Sequence, residues 1–322
     1  MKYLIVAIIF LFQSAFVYCQ TTLKDFPVLT GPYLGQKPPG LVPEMFAPGI
    51  VSTGNHEHSS PVFTPDLKEI YWSTVLRENG KFVGRPTYFM KMINGVWNKP
   101  EIPIFSKNFT TCENPFISPD GEKIYFAVGK TPIPEEFTFY FVNRVGDGWS
   151  EPVKLNGLEI KANDDGFSPS VSKNGTIYYS SFYEKSKAGF GLYYSKMVNG
   201  EYQKPVLMEE KFNKLNVDWT PYIAPDESYI IFSSSRDGEY GNGDLYICFR
   251  EKDGSWGKVI NMGDKINTKA QERFPNVSPD GKYLFFNRMQ KIEGANPNGP
   301  GNGWGDVYWV NAKVIEELRP KE

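Results

Sequence analysis

Apolar residues fall into three kinds of run. One occurs once: Tyr3 to Phe16 is almost wholly apolar and follows the single positive charge of Lys2. A second kind is short, aromatic and β-branched, and it recurs as EIYWS at 69–73, KIYFA at 123–127, TIYYS at 176–180, YIIFS at 229–233 and YLFFN at 283–287. The third kind is centred on a tyrosine, at Tyr88, Tyr140, Tyr193, Tyr246 and Tyr308. Short runs of this composition, bounded by Gly, Pro, Asn and Asp, predict strands and turns rather than helices.

The flanking polar residues recur in the same frame. A turn precedes each aromatic strand: TPDLK at 64–68, SPDGE at 118–122, SKNG at 172–175, APDES at 224–228 and SPDGK at 278–282. In Pro-Asp-Gly, Pro presets φ, Asp bonds back to the backbone and Gly accepts positive φ. Upstream stand Pro61, Pro115, Pro169, Pro221 and Pro275, at spacings of 54, 54, 52 and 54. Downstream, NGVWNKP at 94–100, GDGWSEP at 146–152, NGEYQKP at 199–205 and DGSWGKV at 253–259 mark a second hairpin turn with a packed aromatic ring. Each copy thus predicts a short strand (Phe116 to Ser118), an aromatic strand (Ile124 to Val128), a tyrosine strand (Leu245 to Phe249) and a fourth strand (Glu101 to Phe105).

Four antiparallel strands in about 54 residues make a propeller blade. The predicted fold is all-β, a single five-bladed β-propeller of four-stranded antiparallel blades. The fifth copy lacks the Gly-x-Trp turn and a fourth strand, and Met45 to Ser52 precedes the first copy. An N-terminal strand is therefore expected to complete the last blade and close the ring. The expected divisions are a signal peptide at 1–19, a Pro/Gly-rich segment at 20–44, the propeller at 45–312 and a tail at 313–322. Residues 20–44 are too few for a sixth blade.

The apolar start has the make-up of a secretory signal, with Val17-Tyr18-Cys19 as the cleavage site and Gln20 as the new N-terminus. A retained anchor and lipidation of Cys19 are the alternatives, and the bulky Tyr18 disfavours lipidation. No other stretch nears the ~20 apolar residues of a membrane span. An exported chain is expected, periplasmic or extracellular, with outer-membrane association as a further option. Thirty-five Lys and Arg against 37 Asp and Glu give a net charge of −2, which argues against nucleic-acid binding. Cys112 and Cys248 occupy different repeat positions and are expected to stay unpaired thiols. Five copies fill most of the chain, so a prolyl-oligopeptidase-type hydrolase domain is not expected, and the G-x-S-x-G elbow is absent.

The copies resemble the WD-repeat-like propeller repeat of the TolB type. The resemblance rests on Ser-Pro-Asp-Gly at 118–121 and 278–281 and on Asp-Leu-Tyr and Asp-Val-Tyr at 244–246 and 306–308. It covers about 53–311, and DGSWGKVINMGDKINTKAQERFPNVSPDGKYLFF at 253–286 is similar to a form common in exported proteins of Bacteroidetes-like bacteria. The resemblance implies a platform for protein or ligand binding, with no shared catalytic set.

An acid stands before each innermost strand: Glu57, Glu113, Asp165, Asp218 and Glu272. Ringed round one mouth of the channel, they would form strand-end hydrogen bonds or bind a cation such as calcium, or a polyhydroxylated ligand. His56 and His58 share one face of an extended segment, as a two-histidine metal site would require. Arg236 and Arg288 are expected to pair with Asp244 and Asp306 across the loops between second and third strands. Those loops, at 236–244 and 291–306, carry Tyr240 and Trp304, rings suited to stacking on a sugar or peptide, and Trp219 lies beside the acids. The expected function is an exported, non-catalytic binding or scaffold protein, a monomer that recognises an envelope protein or a glycan. The alternative is a carbohydrate-active enzyme of glycoside-hydrolase type using channel carboxylates. The acids look equivalent from blade to blade, which favours binding. A sialidase is disfavoured because Asp120-Gly121 and Asp280-Gly281 are adjacent, unlike its Asp-box turn.

Overall fold

The computed structural model describes residues 26–129, 137–158, 168–182, 190–213, 218–236 and 240–321. The signal segment, Cys19 and Asp165 lie outside the described residues. The chain is a five-bladed β-propeller of antiparallel sheets, as the repeats predict. Blade one orders Val62–Phe63, Glu69–Glu78, Thr87–Ile93 and Val96–Trp97 from the axis outward, with His56–Glu57 also on the second strand. Blade two runs Thr111–Ile117, Lys123–Gly129, Phe137–Val145 and Gly148–Trp149, and blade three Ser170–Val171, Ile177–Phe182, Phe190–Ser195 and Val206–Leu207. Blade four is Asp218–Ile223, Tyr229–Ser234, Asp244–Arg250 and Trp256–Asn261. Blade five is Glu272–Val277, Tyr283–Arg288 and Asp306–Asn311, completed by Glu44–Met45.

That last strand closes the ring, with Glu44 opposite Trp309 and Met45 opposite Tyr308. It is shorter than the expected Met45 to Ser52. After Met45 the chain turns at Ala47, and Ser52 Oγ brackets Val307, accepting from its N–H at 3.0 Å and donating to its carbonyl at 3.2 Å. The expected fourth strand from Glu101 to Phe105 also contracts. Only Glu101 bridges Phe89, and Ile104–Ser106 is a 3-10 turn. Pro100 and Pro103 flank this stretch and can donate no ladder hydrogen bond.

The repeat signals have recurring physical roles. In every blade the third-strand tyrosine lies opposite a second-strand ring, and the two stack: Trp72–Tyr88, Phe126–Tyr140, Tyr179–Tyr193, Phe232–Tyr246 and Phe286–Tyr308, with centroids 5.9–6.3 Å apart. The Gly-x-Trp rings dock one blade on the last, as where Trp149 Nε1 donates to Tyr71 Oη at 2.7 Å. Trp97 Nε1 instead meets Gly31 O, in an N-terminal segment whose Tyr33 donates to Asp280 at 2.6 Å. After blade five, the short helix Lys313–Glu317 buries Val314 and Ile315 against the largest core cluster. Cys112 and Cys248 are buried, unpaired thiols, as expected.

In the turns, a Ser or Thr hydroxyl donates to the Asx carbonyl or carboxyl oxygen, which also accepts the N–H two residues on: Ser118 to Asp120 at 2.5 Å, Ser278 to Asp280 at 2.8 Å and Ser172 to Asn174 at 2.8 Å. The next residue sits at positive φ, +77° at Gly121 and +71° at Gly281, with Leu67 and Glu227 holding the same conformation at +59° and +60°. A Cβ at Gly281 would meet nothing within 4 Å. Gly281→Ala is therefore expected to destabilise by about 1–2 kcal/mol through backbone conformation alone. Urea denaturation checks this, and an unchanged midpoint would contradict it. No helix among the described residues is long and apolar enough to cross a membrane.

Candidate functional site at the channel mouth

The five repeated prolines follow residues at the waist of the central channel. Ser60, Asn114, Ser168, Thr220 and Phe274, each preceding its proline, line a constriction of only about 30 Å3. Proline is tolerated because this edge of the innermost strand has no partner strand to receive an N–H. In blades two, four and five the register shifts here, and Asn114, Thr220 and Phe274 hold φ of +53°, +49° and +54°. Thr and Phe are strained in that region, and strain of this kind concentrates at functional sites. Below the waist, at the end bearing the Pro-Asp-Gly turns, a funnel of about 690 Å3 is lined by Phe63, Phe116, Tyr222 and the turn prolines. The acids stand at the other end.

Their arrangement corrects the expected ring of equivalents. Glu272 lies opposite Arg288 and Asp218 opposite Ser234, and Glu57, opposite Thr74, takes the corresponding place in blade one. In blade two that slot belongs to Cys112, opposite Val128. Glu113 is one residue further on, and a one-residue displacement in a strand turns a side chain to the other face. There it meets His58 Nδ1 at 3.0 Å and Arg85 Nη1 at 3.3 Å, joining blades one and two. The four described acids are all buried.

The expected arginine pairs also change partners. Arg236 Nη2 donates to Asp218 at 2.6 Å, and Arg288 Nε donates to Glu272 at 2.8 Å, while Arg288 Nη2 meets Ile266 O. Both guanidiniums lie over stacked ring pairs, 4.8 Å from the Tyr246 centroid and 4.6 Å from that of Tyr308. This route along the rings leads to the inner-strand acid rather than to the third-strand aspartate. Asp244 accepts instead from Tyr240 N and Asn261 Nδ2, and Asp306 from Gly301 N.

Glu57 and Glu272 differ in one respect. Each accepts from a threonine four residues earlier, Thr53 Oγ1 and Thr268 Oγ1, both at 2.7 Å. Glu272 also has Arg288, whereas the residue opposite Glu57 is Thr74. Glu57 Oε2 and Asp306 Oδ1 are buried with no hydrogen-bond partner among the described residues. Burial, with the nearby Asp306 charge adding to it, pushes the Glu57 carboxyl up to about 8, and burial pushes Asp306 up to about 6. For Glu272, burial raises the pKa while the Thr268 bonds and Arg288 pull it back.

Exposed groups surround this buried set. Trp304 is 43% exposed and Tyr240 48%. Trp304 stacks on His56 at 5.9 Å, Arg77 lies 5.1 Å from its centroid, and His56 Nε2 is 3.3 Å from Arg273 Nη2. His56 and His58 do come together, with rings 5.3 Å apart. Among the described residues no group of three His, Cys, Asp or Glu side chains is placed to hold a metal ion. Trp219 is half-buried, packed near Gly243. Sequence reasoning missed Arg85, Arg273 and the two threonines. The spacing of Thr53 to Glu57, repeated from Thr268 to Glu272, was the available signal for the last pair.

No family model and no curated protein matches the sequence. Solved structures with a similar fold include TolB from Acinetobacter baumannii, at 15% identity and a TM-score of 0.44, where 79% of this chain aligns with 56% of that one. A protein of unknown function from Dyadobacter fermentans aligns over 86% of this chain and 84% of its own, at 14% identity and a TM-score of 0.48. The catalytic domain of a GH62 α-L-arabinofuranosidase from Coprinopsis cinerea aligns over 85% and 98%, at 10% identity and a TM-score of 0.50. The chain thus spans little more than half of the Acinetobacter protein. These likenesses are of fold: the protein is a five-bladed β-propeller resembling the TolB type at that level.

Proposed function

We propose that the protein is an exported, non-catalytic binding module that recognises an envelope protein through the channel mouth and the loops around it. The observation that carries this reading is the division of labour at the mouth. Each described acid is buried and accepts at least one hydrogen bond from within the chain, whereas the Tyr240 and Trp304 rings are offered to solvent, Trp304 with His56 and Arg77 against it. A glycosidase needs two carboxyls facing a substrate at a set separation. Aromatic rings beside arginine are the usual anchors of recognition surfaces. Trp219, Tyr240 and Trp304 are the proposed contact residues, with Glu57, Glu113, Asp218 and Glu272 shaping the mouth from behind.

The Trp304→Ala/Tyr240→Ala double variant tests this reading. Its unfolding free energy should stay within about 0.5 kcal/mol per site of the parent, because both rings are exposed. Retention by solubilised envelope protein should fall at least tenfold. Undiminished retention would place recognition elsewhere, and release of sugar from an envelope polysaccharide would favour the enzymatic alternative.

A further inference from the structure

Two blade joints are built from the same parts, except for the donors that answer their acids. Where blade five meets blade four, Glu272 N donates to Gly243 O at 2.8 Å, Thr268 Oγ1 donates to the Glu272 carboxylate at 2.7 Å, and Ala270 N donates to Thr268 Oγ1 at 3.1 Å. Where blade one meets blade five, Glu57 N donates to Gly305 O at 2.9 Å, Thr53 Oγ1 donates to the Glu57 carboxyl at 2.7 Å, and Asn55 N donates to Thr53 Oγ1 at 3.1 Å. An aspartate follows each glycine, Asp244 in one joint and Asp306 in the other, and each accepts a loop N–H through Oδ2. Asn267 and Ser52 also correspond, because each brackets the backbone of the residue after that aspartate, Leu245 or Val307.

In the first joint Arg288 donates from Nε to Glu272 and from Nη2 to Ile266 O, both at 2.8 Å, and Asn261 Nδ2 donates to Asp244 at 3.0 Å. Neither donor recurs in the second. Thr74 stands opposite Glu57 as Arg288 stands opposite Glu272, and Met45 stands opposite Tyr308 as Asn261 stands opposite Tyr246. Threonine is too short to reach as arginine does, and methionine has no N–H or O–H in its side chain. Glu57 and Asp306 are 0% and 1% exposed, and Glu57 Oε2 and Asp306 Oδ1 have no hydrogen-bond partner among the described residues. Asp244 Oδ1 also has none, so the joints differ in the arginine, the asparagine and the free Glu57 oxygen. The Asp306 charge is close enough to act on the Glu57 carboxyl. Buried carboxylates in such a place require a counter-charge or a proton.

We infer that the joint of blades five and one binds a calcium ion, in the position that the Arg288 guanidinium takes in the joint of blades four and five. Glu57 Oε2 and Asp306 Oδ1 are its carboxylate ligands. The carbonyl of Val51, which precedes Ser52 as Ile266 precedes Asn267, is a further oxygen donor, and water completes the shell. A set made wholly of oxygens suits a hard cation, and calcium accepts irregular geometry and mixed carboxylate, carbonyl and water ligands. The set has two acidic side chains and a backbone oxygen, so it differs from a cluster of three acidic or histidine side chains. The ion ties the entry of blade one to the last blade, beside the closure that Glu44–Met45 makes with Asp306–Asn311. In calcium-free solution Glu57 keeps a proton instead, up to about pH 8. The inference does not rest on the proposed envelope partner.

Calorimetric titration of the EDTA-treated, dialysed protein with calcium chloride at pH 8.5 tests the inference, together with thermal unfolding with and without calcium. One calcium per chain should bind, at worst in the ~0.1–1 mM range of extracellular calcium modules. Saturating calcium should raise the melting temperature by several degrees, because the ion binds only the folded chain. Glu57→Gln and Asp306→Asn should each weaken calcium at least tenfold and remove the shift. Thr74→Arg should abolish calcium binding, because it supplies the guanidinium of the other joint. The two acid variants decide the matter if Thr74→Arg does not fold. No calcium binding by the parent, binding without a rise in melting temperature, binding that survives either acid substitution, or binding by a folded Thr74→Arg variant would each overturn the inference.

Discussion

Arg288→Met is expected to lower the unfolding free energy by about 3–5 kcal/mol, a fall in melting temperature on the order of 10 °C. Arg288 and Glu272 are 7% and 0% exposed at the side chain, and their 2.8 Å contact links the first two strands of blade five. Methionine keeps the length and apolar stem that cover Phe286 and Tyr308 but leaves the carboxylate in a dry site with only the Thr268 bonds. Adding Glu272→Gln should recover a large part of the loss, because the cost arises from the unpaired charge. Thermal and urea unfolding of the single and double variants check this. A single variant costing under about 1 kcal/mol would show that the pair contributes no more than an exposed salt bridge.

The corresponding acid in blade one should respond in the opposite direction. Glu57 has its carboxyl pushed from 4.5 up to about 8 by burial, with no arginine opposite it. The unfolded chain loses this proton near the ordinary glutamate value, whereas the folded chain keeps it to about pH 8. The contribution to stability is therefore fully present below about pH 4.5 and is lost as pH rises toward 8. At about 1.36 kcal/mol per pH unit, the loss approaches about 4–5 kcal/mol above pH 8. Glutamine accepts the same Thr53 bonds and carries no charge, so Glu57→Gln should be more stable than the parent by several kcal/mol at pH 8.5 and within about 1 kcal/mol of it at pH 5. A residual slope near pH 4–6 should remain in the variant, because Asp306 is raised to about 6. Urea denaturation at both pH values measures the difference, and parallel pH profiles for parent and variant would contradict it.

The two acids show what the sequence reveals and where it stops. The blade count, the strand order and the closure by an N-terminal strand were legible because each repeats a local chemistry: a Pro-Asp-Gly turn, a tyrosine opposite a ring, a docking tryptophan. Departures from repetition were less plain. A one-residue register difference placed Cys112 where an acid was expected and turned Glu113 toward His58 and Arg85. The spacing to the repeated prolines carried that shift, since Glu113 stands two residues before Pro115 whereas Asp218 and Glu272 stand three before Pro221 and Pro275. The arginine partners were misassigned for a different reason. Arg288 is the register neighbour of both Glu272 and Asp306, and only the path of its side chain over Tyr308 decides between them. The shortened outer strand of blade one has a plainer cause, since Pro100 and Pro103 were visible in the sequence and simply outweighed the repeat.

Site-specific photo-cross-linking in the native envelope tests the recognition reading most directly. A photoreactive residue is placed in turn at Trp304 and Tyr240, on the mouth, and at Lys173, on the opposite face. The account predicts that both mouth positions yield adducts with the same envelope protein and that Lys173 does not. Adducts formed from Lys173 alone, or none from either mouth position, would contradict it.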